Sequence, residues 1–160
     1  MRTAASRLPK GFSLEERLAA CASNVESHPK DRAGWRRWAP LGERRGDPYA
    51  AVVLDLGCGK GEYTVECAAA RPDALFVGLD VDGVCVMRAA ERAIAQGVSN
   101  AVFVLHDDSD LSETFGEGEL SAMLLNFPTP FPKKKKAHYR LTHFERLMSY
   151  RPLLAPGAFD

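Results

Sequence analysis

The segment from Val52 to Glu62 joins an apolar strand to a turn with three regularly spaced glycines, and it constrains the fold more than any other part of the chain. Its aliphatic residues suit a strand that is buried on both faces of a parallel sheet. Gly57, Gly59 and Gly61 allow a tight turn of the backbone close to a ligand, and residues 62–70 predict a helix directly after it. A strand that runs through a glycine turn into a helix is typical of nucleotide-cofactor binding.

The spacing of these glycines discriminates between cofactors. The pattern is Asp-x-Gly-x-Gly-x-Gly, starting at Asp55, whereas a dinucleotide loop carries Gly-x-Gly-x-x-Gly, and Glu62 takes the place of the last glycine of that loop. The Gly-Lys-Ser/Thr sequence of an ATP phosphate loop does not follow either. The spacing therefore disfavours a dinucleotide and ATP. It leaves S-adenosylmethionine as the candidate, with its sulfonium and amino acid end over the glycine turn.

A second acid supports the same cofactor. Asp80 ends another short apolar segment, 75–80, and lies 19 residues beyond Gly61. An acid at the tip of the second strand of a Rossmann-like sheet accepts hydrogen bonds from the ribose hydroxyls of a nucleotide. An ordinary strand-to-helix turn would explain the glycines alone, but it would not explain Asp55 and Asp80 in register. The two acids and the glycines together predict one cofactor site.

Composition favours one globular domain. The chain has 160 residues, of which 46% are hydrophobic and 26% are charged, which is enough for a single core. Its formal net charge is zero, so the whole molecule does not indicate a nucleic-acid partner. The charge is uneven, however, because residues 101–120 carry six acids and no lysine or arginine, whereas residues 131–151 carry seven bases against Glu145. A local basic patch is predicted.

Metal, redox and membrane signals are weak. The four cysteines show no Cys-x-x-Cys spacing, and His106, His138 and His143 do not converge at ligand spacing, so we expect no metal. Cys58 is interpreted as a small filler of the glycine turn rather than a nucleophile. No apolar run approaches the roughly 20 residues of a membrane span, and the N-terminus lacks the hydrophobic stretch of a signal peptide. We therefore expect no membrane partner and a cytoplasmic location.

Strands and helices alternate along most of the chain. The pattern predicts strands at 52–56, 75–79, 102–105 and 121–126, helices at 62–70 and 82–96, and an acidic turn or short helix at 110–115. Alternation of this kind predicts an α/β fold with a parallel sheet, right-handed crossovers and the strand order 3-2-1-4. A capping box at Thr142–Glu145 predicts a further helix that ends near Leu154.

The N-terminal part, residues 1–48, is predicted to be a helical and basic appendage to the sheet domain at 49–160. Ser13-Leu-Glu-Glu16 has the spacing of a capping box and predicts a short helix to about Ala22. Trp35 and Trp38 are three residues apart, as on one helix face, and are interpreted as packing residues.

The segment after the fourth strand is predicted to hold the chemistry, since ligands bind where strands one and four diverge in a sheet of this order. Residues 125–140 combine three prolines that stiffen the backbone, aromatic side chains that offer stacking faces, and the four lysines Lys133–Lys136. Lysines alone would indicate a solvated loop. Because these lysines follow the strand that ends beside the predicted cofactor site, they instead favour binding of RNA.

From about Val52 to Gly157 the chain resembles the bacterial tRNA (guanine-N7)-methyltransferases. The resemblance rests on the glycine turn, on the strand that ends at Asp80, on the Asp108-Ser-Asp110 turn and, most specifically, on the segment after strand four. The family has Asn-Phe-x-Asp-Pro-Trp-Pro-Lys-x-x-His-x-x-Arg-Arg-Leu in that segment. This chain keeps Asn126, Phe127, Pro130, Pro132, Lys133, Arg140 and Leu141, followed by Thr142.

The resemblance implies a Rossmann-like class I methyltransferase that transfers the methyl group of S-adenosylmethionine to N7 of a tRNA guanosine. S-adenosylhomocysteine is then the product, and tRNA is the partner. The cofactor-binding residues that it implies are Asp55, Gly57, Gly59, Gly61, Asp80, Asp108 and Asn126. It further implies that Lys133 and Arg140 contact the RNA.

Three departures from the family pattern qualify this expectation. Thr129 stands at the catalytic position, where the family carries an aspartate, and Phe131 replaces a tryptophan. A threonine can accept one hydrogen bond from guanine but not a bidentate pair, so we expect reduced activity. The family also continues beyond the position of Asp160 with further strands. We therefore expect a sheet that is incomplete in its C-terminal half, with a homodimer forming through the exposed edge of strand four.

The sequence leaves two other functions open. A cofactor-binding or RNA-binding remnant of the family, without transferase activity, would explain Thr129 and the C-terminal departure. An amino-methyltransferase would carry Asn/Asp-Pro-Pro-Tyr after strand four, and here Asn126 is followed by Phe-Pro-Thr, which disfavours it.

Overall fold

The computed structural model describes residues 10–11, 13–32, 34–106, 110–125 and 148–156. Its four strands are β1 (Ala51–Leu56), β2 (Ala74–Asp80), β3 (Ala101–Leu105) and β4 (Ala122–Leu124), and its helices are α1 (Leu14–Ala20), α2 (Glu62–Ala70) and α3 (Gly83–Ala95). Short 3-10 turns occupy Pro29–Asp31, Trp35–Arg37, Pro40–Gly42, Leu111–Glu113 and Arg151–Leu153.

The strands form one parallel sheet in the order β3-β2-β1-β4, as the sequence predicts. β1 lies at the centre and pairs with β2 along its whole length, with Ala51 opposite Ala74 and Leu56 opposite Leu79. Five of its six residues are buried, as expected for a strand covered on both faces. The predicted bounds hold within two residues, and β4 ends at Leu124.

Two apolar layers cover the sheet. On one face, α2 and α3 pack small and branched side chains, including Val65, Val86 and Ala89, against Phe76 and Phe103. The other face is covered by the N-terminal segment and by the chain around β4, through Trp35, Trp38, Phe115, Leu120, Tyr150 and Leu153. The carboxyl ends of β1 and β2 remain accessible between these layers, which positions the glycine turn at the rim of the sheet.

The two tryptophans are packing residues, as predicted. Trp35 is 0% exposed and Trp38 is 2% exposed. Each indole N–H also has a partner, because Trp35 Nε1 donates to the Thr114 carbonyl at 2.9 Å and Trp38 Nε1 donates to the Glu26 carboxylate at 3.1 Å. A buried indole that keeps its hydrogen bond contributes its full apolar area to the core.

Residues 24–26 of the N-terminal segment join the sheet at its β3 edge. Val25 forms a parallel bridge with Phe103, whose N–H donates to the Asn24 carbonyl at 2.8 Å. Ser13 caps α1 by accepting from the backbone N–H of Glu16 at 3.3 Å, as the capping box predicts, and the helix ends at Ala20.

The predicted C-terminal helix lies partly outside the described residues, since 142–147 belong to the part that is not described. Residues 148–150 are helical and run into the turn Arg151–Leu153. The chain then meets the sheet again, with Leu120 N donating to Leu153 O at 2.8 Å and Ala155 N to Leu120 O at 2.7 Å.

Within the described ranges, no helix combines the length and the apolar character that crossing a bilayer requires.

Candidate cofactor site

The glycine turn adopts the backbone geometry that its sequence predicts. Gly57, Gly59 and Gly61 have φ angles of 75°, 58° and 76°, all in the left-handed region that other residues rarely adopt. The turn is fixed to the end of β2, because the N–H groups of Gly57 and Cys58 donate to the Leu79 carbonyl at 2.8 and 3.1 Å. Helix α2 starts directly after Gly61, so its first N–H groups face the turn.

Two of these glycines are required for different reasons. A Cβ at Gly61 would lie 2.6 Å from Ala89 Cβ on α3 and 3.3 Å from a ring carbon of Phe103. A Cβ at Gly59 would meet no atom within 4 Å. Gly61 therefore permits the close approach of α3, whereas Gly59 is required by its φ angle and by the space that it leaves for a ligand.

Asp80 holds the turn at the tip of β2. One carboxylate oxygen accepts from the N–H of Gly59 at 2.9 Å, and the other accepts from the N–H of Asp82 at 2.9 Å. Each oxygen of a carboxylate has a further lone pair, so the side chain can still accept hydrogen bonds from a ligand. Asp80 thus connects the glycine turn to the start of α3, at the position where the sequence predicts a ribose contact.

Asp55 occupies the same rim but is enclosed. Asp55 is only 1% exposed, and its carboxylate accepts a hydrogen bond from Thr64 Oγ1 at 2.6 Å. This bond joins the end of β1 to α2 and orients the carboxylate. The sequence alone did not indicate Thr64, since a threonine in the first turn of a helix has no distinctive pattern.

The turn borders a cavity of about 520 Å³. Its lining residues are Asp55, Gly57, Cys58, Gly59, Lys60, Gly61, Glu62, Tyr63 and Glu66. The structure therefore brings together Asp55 and all three predicted glycines, while Asp80 reaches the rim through its bond to Gly59. The size lies within the range of small-molecule sites. Lys60, Tyr63 and Glu66 are further lining residues that the sequence did not single out.

The other predicted site residues lie outside the described ranges. These are Asp108, Asn126, Thr129, Lys133 and Arg140. Their assigned roles stay predictions.

The Cys58 thiol is unsuited to nucleophilic chemistry. Burial raises its pKa well above the ordinary value, and the negative charges of Asp80 and Asp55 raise it further. A thiol reacts as its thiolate, so a raised pKa keeps Cys58 protonated and inert at neutral pH. This geometry agrees with its interpretation as a filler of the turn.

We predict that Cys58 reacts with maleimide at pH 7.5 more slowly than glutathione, because its raised pKa lowers the fraction present as thiolate. Peptide mapping by mass spectrometry measures the rate, and Cys58→Ala identifies the peptide. The rate should keep rising above pH 9. Labelling as fast as glutathione, or a plateau below pH 8.5, would contradict the raised pKa.

Comparison with known proteins identifies the family. Residues 49–159 match the family model Methyltransf_4, described as "Putative methyltransferase". The chain belongs to this methyltransferase family. It is 39% identical to the tRNA (guanine-N(7)-)-methyltransferase of Christiangramia forsetii over 64% of this chain and 46% of that protein. It is 34% identical to the enzyme of the same name from Lacticaseibacillus casei, over 72% of this chain and 54% of that protein.

The fold is shared with solved methyltransferases. The structure superposes on the antibiotic-resistance methyltransferase Kmr with a TM-score of 0.54 and 29% identity, over 69% of this chain and 56% of that chain. These findings confirm the predicted class I methyltransferase fold, the family, and S-adenosylmethionine as the cofactor of the family. The methyltransferase chain spans about half the length of the curated relatives it matches.

Proposed function

We propose that the protein acts as a tRNA (guanine-N7)-methyltransferase and transfers the methyl group of S-adenosylmethionine to N7 of a tRNA guanosine. The observation that carries the proposal is the glycine turn, with its cavity of about 520 Å³ and with Asp80 bonded to Gly59. The curated relatives that bear this name support the choice of RNA and of guanine N7.

The described residues fit S-adenosylmethionine in their donor set. The carboxylate of Asp80, which accepts from the Gly59 N–H, would also accept hydrogen bonds from the ribose hydroxyls, and the N–H groups at the start of α2 would bind the methionine carboxylate. Asp55, held by Thr64, offers a negative charge near the amino end of the cofactor. Asp108 and Asn126 complete the set by resemblance. The cofactor supplies an electrophilic methyl group.

Methylation of guanine N7 requires orientation rather than proton removal, because N7 attacks with an in-plane lone pair and carries no proton. The protein must hold N7 about 3 Å from the methyl carbon and in line with the leaving sulfur. By the family resemblance, Thr129 would lie beside the guanine, where a carboxylate would accept two N–H donors and stabilise the developing charge. Lys133 and Arg140 contact the RNA in this proposal.

The test is methyl transfer from tritiated S-adenosylmethionine to an unmodified tRNA transcript, with the modified guanosine located by cleavage at N7-methylguanine. Activity that Thr129→Asp increases, and that Asp80→Ala removes, supports the proposal. Binding of S-adenosylhomocysteine without any transfer, in the original chain and in Thr129→Asp alike, would instead favour the second candidate. That candidate is a cofactor-binding or RNA-binding protein without transferase activity, and the threonine at position 129 favours it.

A tRNA substrate also places the protein in the cytoplasm in this proposal. We further propose a homodimer through the edge of β4. Among the described residues, only the bridge of Leu120 to Leu154 lies beside this edge, and no other strand pairs with β4 on the side away from β1. Such an edge presents backbone groups that can pair with a second chain.

Light scattering at increasing protein concentration should therefore give a mass that approaches twice the 17.5 kDa of the chain. A constant mass of one chain at all concentrations would exclude the homodimer.

A further inference from the structure

The N-terminal segment carries a cluster of arginines that the cofactor site does not use. Arg36, Arg37 and Arg45, here called the arginine surface, lie on the folded loop that precedes β1. Arg36 and Arg37 are exposed, and Arg45 is half-buried. Backbone hydrogen bonds fix this loop, from Arg45 N to Arg37 O at 2.8 Å and from Tyr49 N to Arg36 O at 2.7 Å. The three arginines therefore share one ordered surface.

Neutral groups position each guanidinium of this surface. Arg36 Nε donates to the Tyr49 carbonyl at 2.9 Å, and Arg37 Nη1 donates to the carbonyls of Arg45, at 3.2 Å, and of Gly46. The guanidinium carbon of Arg45 lies 3.7 Å from the centroid of the Tyr49 ring. Carbonyls and an aromatic ring orient a guanidinium without cancelling its charge, and each group keeps further N–H donors.

Among the described residues, no carboxylate forms an ion pair with the arginine surface. Four other arginines of the described ranges are paired with carboxylates, in Arg17–Glu91, Arg32–Glu26, Arg71–Asp73 and Arg92–Glu62. Within the same ranges, no ion pair joins Glu43 or Asp47, which lie on the same loop, to any of the three. Arg45 also borders an open groove of about 580 Å³ that has neither aspartate nor glutamate among its lining residues. An approaching anion therefore meets uncompensated positive charge.

We propose that the arginine surface binds backbone phosphates of the RNA substrate, as a second contact area away from the methyl-transfer site. This proposal rests on the proposed function. Guanidinium groups match phosphate oxygens in bidentate geometry, and groups that are already oriented lose less side-chain freedom on binding. The backbone phosphates of RNA recur at regular spacing along the strand. They therefore suit a cluster of oriented positive charges.

The location of the surface suits an extended partner. Tyr49 lies two residues before Ala51, so the arginine surface is at the amino end of β1, while the glycine turn follows Leu56 at the carboxyl end. A strand of this length spans about 20 Å. A folded RNA that is longer than this distance can therefore contact both the arginine surface and the methyl-transfer site.

The experiment measures binding of an unmodified tRNA transcript by fluorescence anisotropy between 50 and 300 mM KCl. In the triple variant Arg36→Gln/Arg37→Gln/Arg45→Gln, affinity at 0.1 M salt should fall about tenfold or more, and the log–log salt slope should become shallower by about two to three. The single variant Arg37→Gln should lose about one unit of slope. It also keeps the test valid if the triple variant fails to fold.

Arg88→Gln is the matched control, since Arg88 is an exposed arginine on α3 and the charge change is the same. It should leave affinity and slope unchanged, and all variants should bind S-adenosylhomocysteine equally in calorimetry. Equal tRNA binding by the original chain and the arginine variants would overturn RNA binding by the arginine surface but not the proposed function. Absence of tRNA binding in the original chain would overturn the proposed function as well. Loss of binding to phosphatidylserine vesicles, with tRNA binding intact, would assign the surface to a membrane and also overturn the proposal.

Discussion

Asp80→Ala should weaken binding of S-adenosylhomocysteine about 10- to 100-fold, equivalent to about 1.5–3 kcal/mol. The variant loses a charged acceptor for two ribose hydroxyls. It also removes the acceptor of the Gly59 N–H, which lies 2.9 Å from the carboxylate, so the turn loses an anchor. Isothermal titration calorimetry with the purified chain measures the affinity.

The control is Asp82→Ala. Asp82 caps α3 by accepting from Val84 N at 2.9 Å, and Asp80 accepts from the Asp82 backbone N–H, which alanine retains. Its loss should lower stability by about 1 kcal/mol and leave cofactor affinity nearly unchanged. Equal loss of affinity in both variants would mean that Asp80 acts only by holding α3. Unchanged affinity in Asp80→Ala would remove this carboxylate from the site.

The sequence predicts the sheet well because each strand and helix carries a strong local signal. The strand before the glycine turn is apolar except for Asp55, and α2 has the predicted bounds of 62–70, since Gly61 fixes its start. The position of Asp80 follows from the same regularity. In a parallel sheet, consecutive strands end at the same rim, so an acid at the tip of β2 must lie near the turn after β1.

Contacts between distant segments had no such signal. The bridge of Val25 to Phe103 joins residues that are far apart in the chain, and a three-residue extended segment has no periodicity to detect. The bond from Thr64 to Asp55 likewise depends on how α2 packs against β1. The spacing of Trp35 and Trp38 indicated packing. The face of the sheet that these two side chains cover, however, is set by the path of the whole N-terminal segment.

Gly61→Ala should destabilise the fold more than any other single change at the turn. Its φ of 76° costs alanine about 1–2 kcal/mol. The new methyl would also lie 2.6 Å from Ala89 Cβ, and such overpacking costs about 1–3 kcal/mol. We expect a total of about 2–5 kcal/mol, measured by urea denaturation followed by circular dichroism.

Gly97→Ala separates the two causes. Gly97 has a φ of 68°, and its Cβ would meet no atom within 4 Å, so only backbone strain of about 1–2 kcal/mol applies. The difference in unfolding free energy between Gly61→Ala and Gly97→Ala therefore estimates the clash with α3. Equal costs for the two variants would show that α3 moves away freely and that close packing at Gly61 is unimportant.

A double-mutant cycle with Ala89→Gly tests the contact directly. Ala89→Gly alone should cost about 1 kcal/mol, because glycine is unfavourable inside a helix. In the Gly61→Ala background it also removes the opposing methyl, so the combined loss should be smaller than the sum of the single losses by about 1 kcal/mol or more. Combined with Gly97→Ala it should be additive, since Ala89 and Gly97 are separated by about 12 Å along the helix axis. Additivity in both pairs would contradict the contact with the Ala89 methyl and would leave backbone strain and the neighbouring Phe103 ring as the reasons for a glycine at position 61.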